Sequence, residues 1–323
     1  MQCISLVIPC YNESRGIKAL VSALNSDLKV LEQSSDVQFD LIFVDDGSRD
    51  GTFDRLRESD IAFDYQLVSL SRNFGKEAAL TAGLEYVKSD AAILFDADLQ
   101  HPISLIEEMI HHWRSGHEVV YTFKQDRSDE SVKRQVLAKA FYGLVNFGSR
   151  VEIPMNAGDF RLLDRKVIDA ILKLPESQRF MKGLYAWVGF KQFGIPMEID
   201  ERADGEASKF SSLKLIGLAL DGITSFSIAP IRMMSLVGMG AAGFSLLYML
   251  WILFEWFFLE APFSGFASIA VLISFFGGLQ LLTIGLIGEY VSKTLIESKN
   301  RPAYLVSAHE AFKASNSLSS VDE

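Results

Sequence analysis

Short apolar runs rich in β-branched residues alternate with longer stretches of helical spacing through the first third of the chain. Residues Ile4 to Pro9, Phe39 to Val44, Tyr65 to Ser69 and Ala91 to Phe95 read as strands. Between them, Ile17 to Leu31, Thr52 to Glu58 and Glu77 to Val87 carry apolar residues at the spacing of one helical face. This alternation predicts an α/β fold, a mostly parallel sheet with helices on its faces. Such sheets bind ligands beyond the carboxyl ends of their strands, so the residues just after each strand are the ones to inspect. A following region, about Ile103 to Arg202, mixes helices with short strands and is expected to complete the pocket.

The pattern changes toward the C-terminus. No charged residue occurs from Met233 to Phe254, and none from Ala261 to Gly288. Each run exceeds the roughly 20 residues with which a helix crosses about 30 Å of hydrocarbon. A transmembrane hairpin over 232–292 follows, with spans at about 233–255 and 264–288. Trp251, Trp256, Phe257 and Phe258 would form an interfacial belt. Arg232 precedes the first span and Lys293, Lys299 and Arg301 follow the second, whereas only Glu255 and Glu260 are charged between them. That bias predicts a multi-pass protein of the cytoplasmic (inner) membrane, with residues 1–209 and both termini in the cytoplasm.

Residues 210–231 have apolar positions at Phe210, Leu213, Ile216, Leu220 and Ile223. They read as a juxtamembrane amphipathic helix, lying at the interface or packed on the globular domain. Residues 293–323 are expected to be a cytoplasmic tail, polar and disordered from about Ser307. The N-terminus lacks the basic and apolar regions of a signal peptide.

Composition narrows the partners. The 323 residues carry a net charge of −10, which argues against a nucleic-acid binder and requires local groups to hold any anionic substrate. Cys3 and Cys10 stand roughly 23 Å apart on an extended strand, too far to pair.

Candidate chemistry clusters at the strand ends. Pro9-Cys10-Tyr11-Asn12-Glu13 follows the first strand, Asp45-Asp46-Gly47-Ser48 the second, and Asp96-Ala97-Asp98-Leu99-Gln100-His101-Pro102 the fourth. Carboxylates at i and i+2 can turn toward one hard cation, and magnesium favours one or two carboxylates plus substrate phosphates. Such a cation would neutralise charge on a departing diphosphate. No zinc-ligand spacing, Gly-x-Gly-x-x-Gly fingerprint or Walker sequence competes.

PCYNE, VDDGS, DADLQHP and the apolar hairpin resemble glycosyltransferase family 2 of the dolichol-phosphate-mannose synthase type. RNFGKE at 72–77, AGDFRLLDR at 157–165, FMKG at 180–183 and GITSFS at 222–227 are similar to the prophage-type bactoprenol glucosyltransferases. The similarity runs from Ile4 to about Arg301. It implies a GT-A fold, Rossmann-like with a mostly parallel sheet, and inverting transfer of a hexose, glucose, from a UDP-sugar to undecaprenyl phosphate. By family pattern, Pro9, Tyr11, Glu13 and Asp46 surround the uridine and Gln100 lines the donor site. Asp98, helped by Asp96, coordinates Mg2+ or Mn2+, and Asp159 matches the acidic residue near the acceptor. Lys124, Arg134, Arg202 and Lys209 are candidates for phosphate contacts. Lys124 replaces an Arg of the mannose synthases, and the stretch 205–209 is one residue longer than the usual pattern.

A phosphate monoester is already mostly ionised near pH 7, its second pKa being about 6. Asp159 therefore need not remove a proton. It is expected to orient the acceptor or stabilise positive charge on the sugar ring, unless it only caps the turn before Phe160. Arg202 and Lys209 flank a loop that could close over both substrates, or else bind lipid headgroups. The glycine-rich second span, with Gly277, Gly278, Gly285 and Gly288, could pack copies of the chain together. Rival readings are a transferase using another nucleotide sugar, a processive polysaccharide synthase, whose Gln-x-x-Arg-Trp string is missing, and a non-catalytic membrane scaffold. The scaffold has no need of Asp46, Asp96 and Asp98 together at strand ends.

Overall fold

The structure, a computed structural model, describes residues 1–124, 157–177, 179–197, 229–258 and 265–314. Among these, residues 1–124, 157–177, 179–197 and 301–314 belong to one compact unit and 229–300 to another.

The first unit is an eight-stranded sheet of order β7-β5-β6-β4-β1-β2-β3-β8. Its centre is four parallel strands, β4 (Ala91–Leu94), β1 (Gln2–Cys10), β2 (Val37–Asp45) and β3 (Asp64–Leu70). Successive residues of β1 point to opposite faces, and both faces are apolar. Ile4, Leu6 and Ile8 join the core packed by α1 (Ile17–Ser35) and α4 (Leu105–Arg114). On the other face Val7 and Val44 meet α3 (Lys76–Tyr86), whose Gly83 leaves no room for a side chain. A Cβ there would lie 2.3 Å from Val7 Cγ1. A short helix, α2 (Thr52–Arg57), links β2 to β3.

Beyond β4 the sheet turns mixed. Strand β6 (Ala157–Asp164) runs antiparallel to β4 and to β5 (Val119–Lys124), and β7 (Gln192–Met197) is parallel to β5. Helices α5 (Arg165–Leu172) and α6 (Met181–Trp187) fill the connection from β6 to β7. The chain leaves β1 toward β2 on one side and meets β4 on the other, so a switch point lies between β1 and β4.

The expected disordered tail is corrected. Val306–Phe312 forms β8, antiparallel to β3 and closing its open edge. Phe312 stacks on Tyr65 with ring centroids 4.5 Å apart, and Lys313 pairs with Asp64 at 2.7 Å. The sheet is therefore built from both sides of the apolar helices in sequence. Residues 315–323 lie outside the described residues.

The second unit comprises α7 (Ala229–Phe258) and α8 (Phe266–Ser298). Segments Ile231–Ile252 and Phe275–Ser298 are each long and apolar enough to cross a membrane. Their large apolar side chains are exposed, Leu247 by 68% and Leu281 by 72%. A soluble core helix would bury them. Helix α8 runs past the expected end of the second span to Ser298. The predicted juxtamembrane helix falls almost entirely outside the described residues.

Candidate active site

Loops after β1, β2, β3 and β4 converge on a crevice of about 280 Å³ at the switch point. It is lined by Pro9, Tyr11, Glu13, Asp46, Asp96 and Asp98 of the sequence-nominated set, together with Cys10, Asn73, Gly75, Lys76, Ala79 and Ala97. Separations of up to about 90 residues in sequence are closed here by parallel pairing in register, which aligns Pro9 with Val44 and Cys10 with Asp45.

Reciprocal hydrogen bonds lace the first two loops together. The Asn12 N–H donates to Ser48 Oγ at 2.9 Å, and Arg49 N–H donates back to Asn12 Oδ1 at 3.0 Å. Glu13 N–H reaches Thr52 Oγ1, and Ser14 N–H reaches Asp50 Oδ2. The crevice wall is thus fixed by backbone donors as well as by packing. Tyr11 lines it and is 47% exposed.

Asp46 holds the next loop. Its carboxylate, only 3% exposed, accepts the Phe74 N–H at 2.7 Å and the Gly75 N–H at 2.9 Å. Burial raises its pKa despite the opposing pull of those donors. Gly47 is needed beside it. Its φ is +66°, and an added Cβ would sit 2.4 Å from the Arg72 carbonyl carbon. Asp46 is therefore the anchor of the segment that delivers Lys76.

Lys76 opens α3 and reaches across the crevice. Its Nζ lies 2.6 Å from Asp96 Oδ1 and 2.8 Å from Asp159 Oδ2. Lys182, from α6, approaches the other Asp159 oxygen at 3.6 Å. Burial by itself would raise the Asp159 pKa, but the two ammonium groups and Arg161 outweigh it and hold the carboxyl down at about 2. Asp159 lies within β6 and does not cap a turn. For Asp96, too, burial is outweighed, here by His101 and Lys76, and its pKa is lowered.

Asp98 is placed by an unusual turn. Leu99 adopts φ 54°, a left-handed conformation costing roughly 1 kcal/mol or more for a bulky residue, and Gln100 N–H then donates to Asp98 Oδ1 at 3.1 Å. Burial, followed by the charges of Asp98 and Asp50, raises the pKa of Glu13. Carboxylates crowded in this way accommodate a cation.

Among the described residues no three His, Cys, Asp or Glu side chains form a complete metal cage. Two carboxylates facing one crevice, with the remaining positions left to phosphate and water, still fit Mg2+ or Mn2+.

Gln100 occupies the Asp98 turn, and its side chain is not among those lining the crevice. The backbone of Lys124 closes β5 opposite Met197. Its side chain, and Arg134, Arg202 and Lys209 entirely, lie outside the described residues. Sequence reasoning assigned no role to Lys76, Glu77, His101, Arg161 or Lys182. Each lies in a motif quoted for the resemblance or just beside one, and Arg161 carried a further signal as a charge inside an apolar strand.

A carboxylate-rich crevice beyond the ends of parallel strands, on a GT-A-like α/β sheet, defines a glycosyltransferase. The chain belongs to glycosyl transferase family 2, whose sequence model matches residues 5–172. It is 41% identical over 310 residues to an uncharacterized glycosyltransferase of Synechocystis sp., covering 94% of each chain. It is 39% identical to the uncharacterized glycosyltransferase YkcC of Bacillus subtilis, covering 94% of this chain and 92% of that protein. Identity to the bactoprenol glucosyl transferase of Shigella phage SfV is also 39%, over 94% of this chain and 97% of the phage protein.

Proposed function

We propose that this chain transfers glucose from UDP-glucose to a polyprenyl phosphate, undecaprenyl phosphate, at the cytoplasmic face of the membrane, with Mg2+ or Mn2+ bound at Asp98 and Asp96. The carrying observation is that Lys76 of the crevice pairs with both Asp96 and Asp159, which supports reading the carboxylate nominated for the acceptor side as a neighbour of those nominated for the donor. The similarity to bactoprenol glucosyl transferases over nearly the whole chain supports the substrate pair.

The acceptor phosphate oxygen attacks the anomeric carbon as the bond to UDP breaks. The sugar–phosphate bond forms with inversion, and UDP leaves with the bonding electrons. A divalent cation held by Asp98 and Asp96 would neutralise charge on the departing diphosphate. Asp159 stays ionised because its pKa is about 2, far too low for an efficient proton acceptor near pH 7. It serves by orienting Lys76 and Lys182 and by facing the positive charge that grows on the sugar ring. Tyr11, Pro9, Glu13 and Asp46 form the nucleotide wall.

The apolar helices anchor the enzyme. Strands β1 to β7 precede them and β8 follows them, yet β8 pairs with β3. If both helices cross the bilayer, that pairing requires both ends of the hairpin on one side, and the basic residues flanking the hairpin support the cytoplasm as that side. Among the described residues nothing lies within 4 Å of the Cβ position at Gly277, Gly278, Gly285 and Gly288, which is compatible with packing against a helix of a second copy.

Membranes containing the chain, incubated with a panel of labelled nucleotide sugars, should move label from UDP-glucose into the organic phase. Labelling only from another nucleotide sugar would overturn the sugar assignment. No labelling from any of them, with UDP still bound, would favour a scaffold.

A further inference from the structure

Within this reading Lys76 has no assigned part, although it is the residue that joins the two halves of the site. Gly75 N–H is held by Asp46, and the next residue, Lys76, reaches over Asp96 and Asp159 at once. Its side chain is 42% exposed while the two carboxylates are 24% and 29% exposed, so the lysine is the more solvent-accessible member of each pair. A second cation, Lys182, already faces Asp159, whereas among the described residues Asp96 has only His101 besides Lys76, at 3.5 Å. The bridge is therefore asymmetric: Asp159 keeps a lysine if Lys76 moves, and Asp96 does not.

We propose that Lys76 is a positioning residue that holds the place of a divalent cation at Asp96 and, on yielding that carboxylate, stays on Asp159 to help receive the acceptor phosphate. This deepens the proposed function and rests on its metal reading. A cation approaching Asp96 meets the Lys76 ammonium at 2.6 Å on Oδ1 and the His101 ring at 3.5 Å on Oδ2, so like-charge repulsion sets Lys76 in competition with metal for this carboxylate. Metal alone binds weakly, whereas metal arriving with a nucleotide diphosphate brings additional ligands that offset the lost ion pair. Once released, Lys76 and Lys182 flank Asp159 together, and two ammonium groups on one carboxylate leave a net positive site. An acceptor phosphate dianion is then received after the donor, not before it.

The test is Mn2+ binding by the full-length chain in detergent, read from the free-ion paramagnetic resonance signal, with and without UDP. Lys76→Met should bind Mn2+ alone roughly tenfold tighter than wild type, and the gain on adding UDP should shrink correspondingly. Lys76→Arg, which keeps the charge, should behave like wild type and guards against a folding defect. Lys182→Met should leave Mn2+ affinity unchanged. Equal or weaker Mn2+ binding by Lys76→Met, with UDP-dependent Mn2+ binding retained, would overturn the role of Lys76 alone. Failure of wild type to bind Mn2+ even with UDP would overturn the metal reading itself.

Discussion

Replacing Asp46 by Asn separates two jobs that its position combines. The carboxylate accepts two backbone donors, from Phe74 at 2.7 Å and Gly75 at 2.9 Å, and it is almost fully buried. Asn has nearly the same shape but only one acceptor oxygen, so its amide N–H2 must face the second donor. One charge-assisted hydrogen bond is lost, about 1.5–3 kcal/mol, and a donor–donor contact replaces it. Neutralising a buried carboxylate returns part of its desolvation cost. The balance is a destabilisation of about 1–2 kcal/mol, which lowers Tm by roughly 3–6 °C for a unit of this size. Because the same loop carries Lys76, UDP affinity should fall along with Tm. Thermal melting of the detergent-solubilised chain, followed by UDP titration at a temperature where both proteins are folded, measures the two effects separately. A variant that melts like wild type yet loses UDP binding would refute the loop-anchor role and leave Asp46 as a nucleotide contact only.

Asp98→Asn should cut turnover by roughly two to three orders of magnitude while leaving Tm near wild type, and full activity of that variant in excess chelator would reject the metal site. Gly47→Ala places a Cβ 2.4 Å from backbone at a positive φ, and should cost about 2–4 kcal/mol in urea unfolding. Phe312→Ala removes the ring stacked on Tyr65 and should destabilise the catalytic unit by about 2 kcal/mol without changing UDP affinity once folded. Burial, with the Asp159 charge second, raises the Glu77 pKa from its ordinary 4.5 to about 7. The folded state thus holds that proton more tightly than the unfolded chain, so its contribution is complete below pH 4.5 and is lost as pH rises through about 7. Glu77→Gln should flatten this decline, worth up to about 3 kcal/mol, in melts taken from pH 5 to pH 8.

The parallel core was legible because each central strand is an apolar run with turn residues at its end. A sheet buried on both faces demands that pattern. The crevice was legible for the same reason, since Pro9 ends such a run and Asp46, Asp96 and Asp98 each sit just past one. Strand β8 was not. Its sequence, VSAHEAF, has small and polar residues with weak alternation, and its strand conformation comes from the free edge of β3, which sequence order does not bring to mind. Lys76 was hidden differently. A lysine opening a helix usually reads as a solvated surface group, and only the fold reveals that two carboxylates, 20 and 83 residues further along, meet its ammonium.

The discontinuous catalytic unit bears on how such a chain can be divided. A cut before Arg232 retains every described residue that lines the crevice, which favours a soluble donor-binding fragment. The same cut removes β8, uncovering Tyr65 and the whole hydrogen-bonding edge of β3, an exposed edge of the kind that pairs with other chains. Loss of activity in that fragment would therefore confound membrane detachment with damage to the sheet. Joining residues 301–314 back through a flexible linker restores the β3 partner without the apolar helices. If this rejoined fragment binds UDP with metal and stays monomeric while the simple truncation aggregates, β8 contributes to the integrity of the catalytic unit and the helices contribute acceptor access. Equal behaviour of the two fragments would mean that the β3 edge needs no cover, and that β8 serves only to tether the second helix.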